Sequence, residues 1–81
     1  MKIYIVHYGI MDNDGALQIN CKRCDSFEDA QCTRNQIVDK FIEENSYIVD
    51  DIIVEEFGKY KRVAYYNSLI EIQTGIVEFD V

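Results

Sequence analysis

Proline and tryptophan are absent from this 81-residue chain, histidine occurs once and glycine four times. Without proline there is no Pro-rich linker or recognition segment, and glycines at positions 9, 15, 58 and 75 act as punctuation, not as a flexible tether. Cations are scarce too. Eight Lys plus Arg stand against fifteen acids, for a net charge of −7. That balance repels phosphate backbones and anionic membranes, which argues against nucleic acid or a membrane as direct partners and in favour of a basic one. No apolar run approaches the roughly 18 residues of a membrane-spanning helix. The stretch from Met1 to Tyr8 lacks the small-residue cleavage site of a secretory leader. Three scattered cysteines, an odd number, fit free thiols in a reducing cytoplasm better than a disulfide framework.

What is present has the composition of a folded domain, 48% hydrophobic and 28% charged. Its length is that of a single domain, residues 1–81. Lys2 to Tyr8 is rich in β-branched and aromatic residues and reads as a strand. Turn chemistry follows from Gly9 to Gly15, and Ala16 to Cys21 reads as a second strand. Leu17, Ile19 and Cys21 then share one face, expected to be the buried one, with Cys21 in the core.

Ser26, with Asp29 three residues on, fits a capping box that opens a helix from Phe27 to Asn45. At 100° per residue, Phe27, Ala30, Arg34, Ile37, Val38, Phe41 and Ile42 form one arc, and Glu28, Cys32, Gln36, Asp39 and Glu43 oppose it. Arg34 inside the apolar arc is expected to lay its stem along the sheet edge and carry its guanidinium to water or a carboxylate. Tyr47 to Phe57, Tyr60 to Tyr66 and Leu69 to Val81 read as strands, separated by Gly58-Lys59 and Asn67-Ser68. The apolar phase changes between Ile70 and Ile72 and the trio Val77, Phe79 and Val81, which predicts a β-bulge near Thr74-Gly75 or a tight turn there. The order ββαβββ gives an α+β domain: one antiparallel sheet of four to five strands with a single amphipathic helix on one face.

One helix cannot roof both faces of such a sheet. With Ile3, Ile5, Leu17 and Ile19 toward the helix, Tyr4, Val6 and Tyr8 point away, joined by Ile53, Phe57 and one or both of Tyr65 and Tyr66. A tyrosine-bearing open face reads as a contact surface. The plainer alternative is a strongly curved sheet that closes this face into a half-barrel.

Cys21-x-x-Cys24 with Cys32 invites a zinc or thiol reading. Against zinc, His7 is placed near the loop end of the first strand and Cys21 at the far end of the second, several residues apart. Against redox chemistry, the pair lacks a βαβ context. Cys32 is expected to be exposed and prone to intermolecular disulfides. His7 has no nucleophile or acid placed beside it and reads as a sheet-face residue. Asp12-x-Asp14 resembles the start of a calcium loop, but Ala16, Gln18 and Ile19 supply no further ligands. No catalytic residue, metal or cofactor is assigned.

The acids carry the functional expectation. Glu28, Asp39 and Glu43 form a helical stripe, Asp50, Asp51, Glu55 and Glu56 cluster on a strand, and Glu78 and Asp80 stand ~6.7 Å apart on one strand face. That spacing approaches the repeat of phosphates on a nucleic-acid strand, so the surface could act as a nucleic-acid mimic; the plainer explanation is a solvated, solubilising face. In size and charge the chain is similar to small acidic inhibitors made by phages and mobile elements, anti-CRISPR and anti-restriction proteins among them, a likeness that covers no motif. The expectation is a cytoplasmic, non-enzymatic binder of a protein with a basic, nucleic-acid-binding surface. Its contact residues are Glu28, Asp39, Glu43, Asp50, Asp51, Glu55, Glu56, Tyr4, Tyr8, Tyr65 and Tyr66. The alternatives are a self-associating domain, a homodimer through the sheet face, and a thiol or zinc module at Cys21 and Cys24.

Overall fold

Ser26 opens the single helix as its sequence demands, its Oγ accepting from the Asp29 N–H at 3.0 Å with Glu28 and Asp29 in the first turn. A computed structural model describes residues 1–48 and 51–81. The elements are β1 (Lys2–Met11), β2 (Leu17–Cys24), α1 (Phe27–Glu44), β3 (Ile52–Phe57), β4 (Tyr60–Tyr65) and β5 (Glu71–Asp80). They form one antiparallel five-stranded sheet in the order β2-β1-β5-β4-β3, with α1 on one face. The α+β architecture and the ββαβββ order read from the sequence hold.

Turn chemistry sets the registers. The Asp12 carboxylate accepts from the N–H groups of Asp14 and Ala16, both at 2.9 Å, and Gly15 takes φ 81°. That closes the first loop between residues 12 and 16 and carries β1 on to Met11, beyond the expected end at Tyr8. Gly58, at φ 54°, occupies the first place of the two-residue turn between β3 and β4.

Burial follows a sharp parity. Val6 and Ile76 are cross-strand partners, 0% and 5% exposed, and pack under Ala30. Val38, Phe41, Val63, Tyr65, Ile70 and Ile72 form a second cluster, and half-buried Ile37 touches both. Even-numbered residues of β1 and β5 therefore face the helix. This reverses the expected assignment: Tyr4 and Val6 lie under α1, while Ile3, Ile5, Leu17 and Ile19 are on the helix-free side. Both parities of β1 are apolar, so alternation alone does not choose between them. The small Ala30, fully buried over Val6, marks the face the helix covers.

The expected bulge at Thr74-Gly75 is absent. β5 pairs with β1 one to one from Met11 opposite Glu71 to Lys2 opposite Asp80. The phase change reflects apolar residues on both faces: Ile72 and Ile76 go to the helix, Val77 and Phe79 to the open side. Thr74, 1% exposed among the helix-side residues, donates its hydroxyl to the Lys61 carbonyl at 2.8 Å. The strand expected over Tyr47–Phe57 begins only at Ile52; Tyr47 is in a turn, and residues 49 and 50 lie outside the described residues.

Arg34 fastens the β3–β4 hairpin to the helix. It is 3% exposed, and its guanidinium donates to the Gly58 carbonyl at 3.1 Å and to the half-exposed Glu56 carboxylate at 3.0 Å. The sequence reading, in which its stem lies along the sheet and its head meets a carboxylate, describes this contact.

Candidate functional site: the helix-free sheet face

Odd-numbered residues of β1, β2, β3 and β5, and even-numbered residues of β4, point away from α1. Apolar side chains dominate this surface. Leu17 is 55% exposed, Ile19 73%, Val77 40%, Phe79 49% and Phe57 68%. Among the described residues nothing roofs them, so the half-barrel alternative does not describe this sheet. A shallow groove of about 320 Å³ runs across the face, between Met11, Leu17 and Ile19 on one side and Tyr60, Glu71 and Gln73 on the other.

Glycine shapes its floor. Gly75 pairs with His7, and a methyl group added there would collide with the imidazole, which lies across it. At Gly9 the equivalent space is taken by Leu17 Cδ1, 3.4 Å away. Beside the groove, Arg62 bridges two carboxylates on neighbouring strands, donating to Glu55 and, at 2.7 Å, to Glu71; Gln73 Nε2 donates to the other Glu71 oxygen at 2.6 Å. The hydrogen bond from Arg62 holds the Glu71 carboxyl below its ordinary value, with Gln73 adding to the effect. The same bond holds the guanidinium above its own.

Charge on this face balances. Its strand residues include Arg23 and Arg62 against Glu55 and Glu71. The helix is different. Glu28, Asp29, Asp39 and Glu43 are exposed and form no salt bridge among the described residues, while Glu44 pairs with Lys40 at 3.8 Å. Four of the five strand acids sit beside a cation: Glu55 and Glu71 share Arg62, Glu56 has Arg34 and Glu78 has Lys2 at 3.4 Å. That last bond lowers the Glu78 pKa and raises that of Lys2. The molecule thus has an acidic helical back and a neutral, apolar front.

This separation redistributes the expected contact residues. Glu28, Asp39 and Glu43 lie on the back, and Asp51 is exposed ahead of β3. Glu55 is on the open face and Glu56 on the helix side, since adjacent strand residues oppose each other. Asp50 lies outside the described residues. The tyrosines are not a set on the open face. Tyr4 packs on Phe27 with ring centroids 5.8 Å apart, and Tyr65, 6% exposed, packs on Phe41 at 6.1 Å. Burial pushes the Tyr65 hydroxyl pKa up. Tyr8 shares the helix-side parity of Val6, and Tyr66 is exposed just past β4. Tyr60, which the sequence did not single out, is the tyrosine on the groove. Its place opposite Phe57 in a two-residue hairpin is the signal that finds it.

The cysteine geometry also differs from expectation. His7 and Cys21 are direct cross-strand partners, because β1 and β2 extend past their expected ends. The His7 ring nevertheless lies over Gly75, and among the described residues no group of three His, Cys, Asp or Glu side chains is arranged to hold a metal. Cys21 is exposed rather than core. Cys24, three residues on along the same strand, points to the opposite face, where its thiol donates to Thr33 Oγ1 at 3.6 Å. The two cannot bridge each other within the strand. Cys32 is exposed on the helix.

Comparison with known protein families, with curated proteins and with solved structures finds no match.

Proposed function

We propose that this chain is a non-enzymatic protein-binding module, an inhibitor or regulator, that docks through the helix-free face of its sheet. The observation that carries the reading is the exposure, 40% or more each, of Leu17 and Ile19 at one end of this face and of Val77 and Phe79 at the other. Covering such side chains is worth ~25 cal/mol per Å² of apolar area, which is the force that seats a protein partner. The groove between Ile19 and Tyr60 offers a recess for one inserted side chain, the usual form of an interface anchor.

The test is a photo-crosslinking residue placed at position 19 on the open face and, separately, at position 36 on the outer helix, in cells of the source organism. Protein adducts from position 19 and none from position 36 support docking by the sheet. Adducts from position 36 alone refute it.

A second reading has its own support in the unpaired acids of the helix. There the stripe of Glu28, Asp39 and Glu43 engages a basic protein surface of the kind that holds nucleic acid, and so blocks it. Such binding weakens as salt rises, because exposed charges are screened beyond ~8 Å at physiological ionic strength. Because the acids and the apolar face lie on opposite sides of the sheet, the two readings use different surfaces.

A further inference from the structure

We infer that the partner covering the open sheet face is a second copy of this chain, packed face to face so that the two helices lie outside. The inference rests on the docking role proposed for that face and names its occupant.

Area is the first argument. Forty residues lie in the five strands. At ~3.3 Å per residue and ~4.8 Å between strands they span about 630 Å² per copy. Two such faces bury about 1,250 Å², at the lower end of specific interfaces. The contact is large enough to hold a dimer only if most of the sheet takes part, which face-to-face packing achieves.

Charge is the second. Each copy carries −7, so two copies repel in most orientations. The open face is the exception: its strands carry two charges of each sign, with Arg62 bridging Glu55 and Glu71 and Arg23 set 3.8 Å from Asp25. Sheets packed at ~10 Å, each with its helix on the far side, leave the acidic stripes more than two Debye lengths apart. A twofold axis then places the same apolar patch against itself, as an isologous interface requires. The outcome is a four-layer helix–sheet–sheet–helix particle with acidic stripes on its two outer surfaces. A basic partner could be engaged from either side.

The experiment is sedimentation equilibrium of the purified protein at micromolar concentration, at low and high salt. The expected mass is twice the 9.5 kDa of one chain. Higher salt should tighten the association by screening the repulsion between copies. Val77→Lys, on a side chain 40% exposed, should weaken dimerisation about a hundredfold or more, because it buries an unpaired ammonium. Its far-UV circular dichroism should match the parent, and Ile19→Lys should behave alike. A control, Gln36→Lys on the outer helix, should leave the dimer intact. A monomer at every concentration, a dimer that salt weakens, or a dimer untouched by both open-face lysines would overturn the inference. Dissociation by Val54→Lys at the β3 edge, with both open-face variants still dimeric, would reassign the contact to edge pairing. A monomer that still gives adducts with other proteins from position 19 would reject the second copy alone; a monomer without adducts would reject docking by the face as well.

Discussion

Replacing Arg34 by methionine isolates the tie between the helix and the outer hairpin. The side chain is 3% exposed, and its guanidinium makes contacts of 3.1 Å to the Gly58 carbonyl, 3.0 Å to Glu56 and 3.3 Å to Asn35. Methionine keeps most of the apolar stem and removes the charged head. Hydrogen bonds to charged groups are worth about 1.5–3 kcal/mol each where water is excluded. Here Glu56 is half exposed and Gly58 lies at the surface, so both acceptors regain water in the variant. Screening brings the net loss to about 1.5 kcal/mol. For a domain of this size that lowers Tm by roughly 6–12 °C. Glu56→Gln alone should cost about 0.5 kcal/mol, and the double variant less than the sum, since both changes remove one contact. Hydrogen exchange should quicken at the turn between β3 and β4 but not along β1 and β5. An unchanged Tm for Arg34→Met, or strict additivity with Glu56→Gln, would refute the assignment of this contact as the fastening.

Acid should expose the Arg62 cluster. The folded Glu71 carboxyl titrates below its ordinary value of 4.5, so its contribution to stability is present above that pH and is lost as pH falls through the folded value. Glu71→Gln should therefore be less stable than the parent at pH 7, with the gap narrowing in urea titrations run well below pH 4.5. A gap independent of pH would deny the cluster its ionic character. Thiol labelling of the Val77→Lys variant, in which the open face is uncovered, should modify exposed Cys21 and Cys32 first and Cys24 last, because Cys24 is half-buried and bonded to Thr33. Equal rates at all three positions would contradict the opposed faces of Cys21 and Cys24.

The helix was the most legible part of the sequence, because its signals agree. Ser26 caps it, the apolar arc from Phe27 to Ile42 faces the sheet, and Arg34 within that arc finds its carboxylate. The existence of an uncovered face was legible too, from one helix set against five strands. Which residues lie on it was not. In β1, Ile3 and Ile5 alternate with Tyr4 and Val6, so both parities look like a core, and the choice is made by the close approach of Ala30 to Val6. Reading the phase change in β5 as an inserted residue assumed a single buried face, whereas Ile76 and Val77 serve different ones. The distance expected between His7 and Cys21 failed because register depends on where the loop closes, and that is fixed by three atoms of Asp12. The separation of acidic back from neutral front needs the pairings of Arg34 and Arg62, which no linear spacing announces.

The middle of the sheet joins strands that are farthest apart along the chain. β1 and β5 pair over residues sixty to seventy-eight positions apart, and each also holds a hairpin neighbour on its outer side. The first hairpin and the helix can meet early, through Tyr4 on Phe27 and Val6 under Ala30, but Val38 and Phe41 lack Ile72 until β5 slots between β1 and β4. Closure of the whole molecule thus waits on its final ten-residue strand, and a long chain loop must be organised before that contact can reward it. Folding should be slow for a domain of this size, and the interval before closure is when its sticky surfaces most need something to shield them.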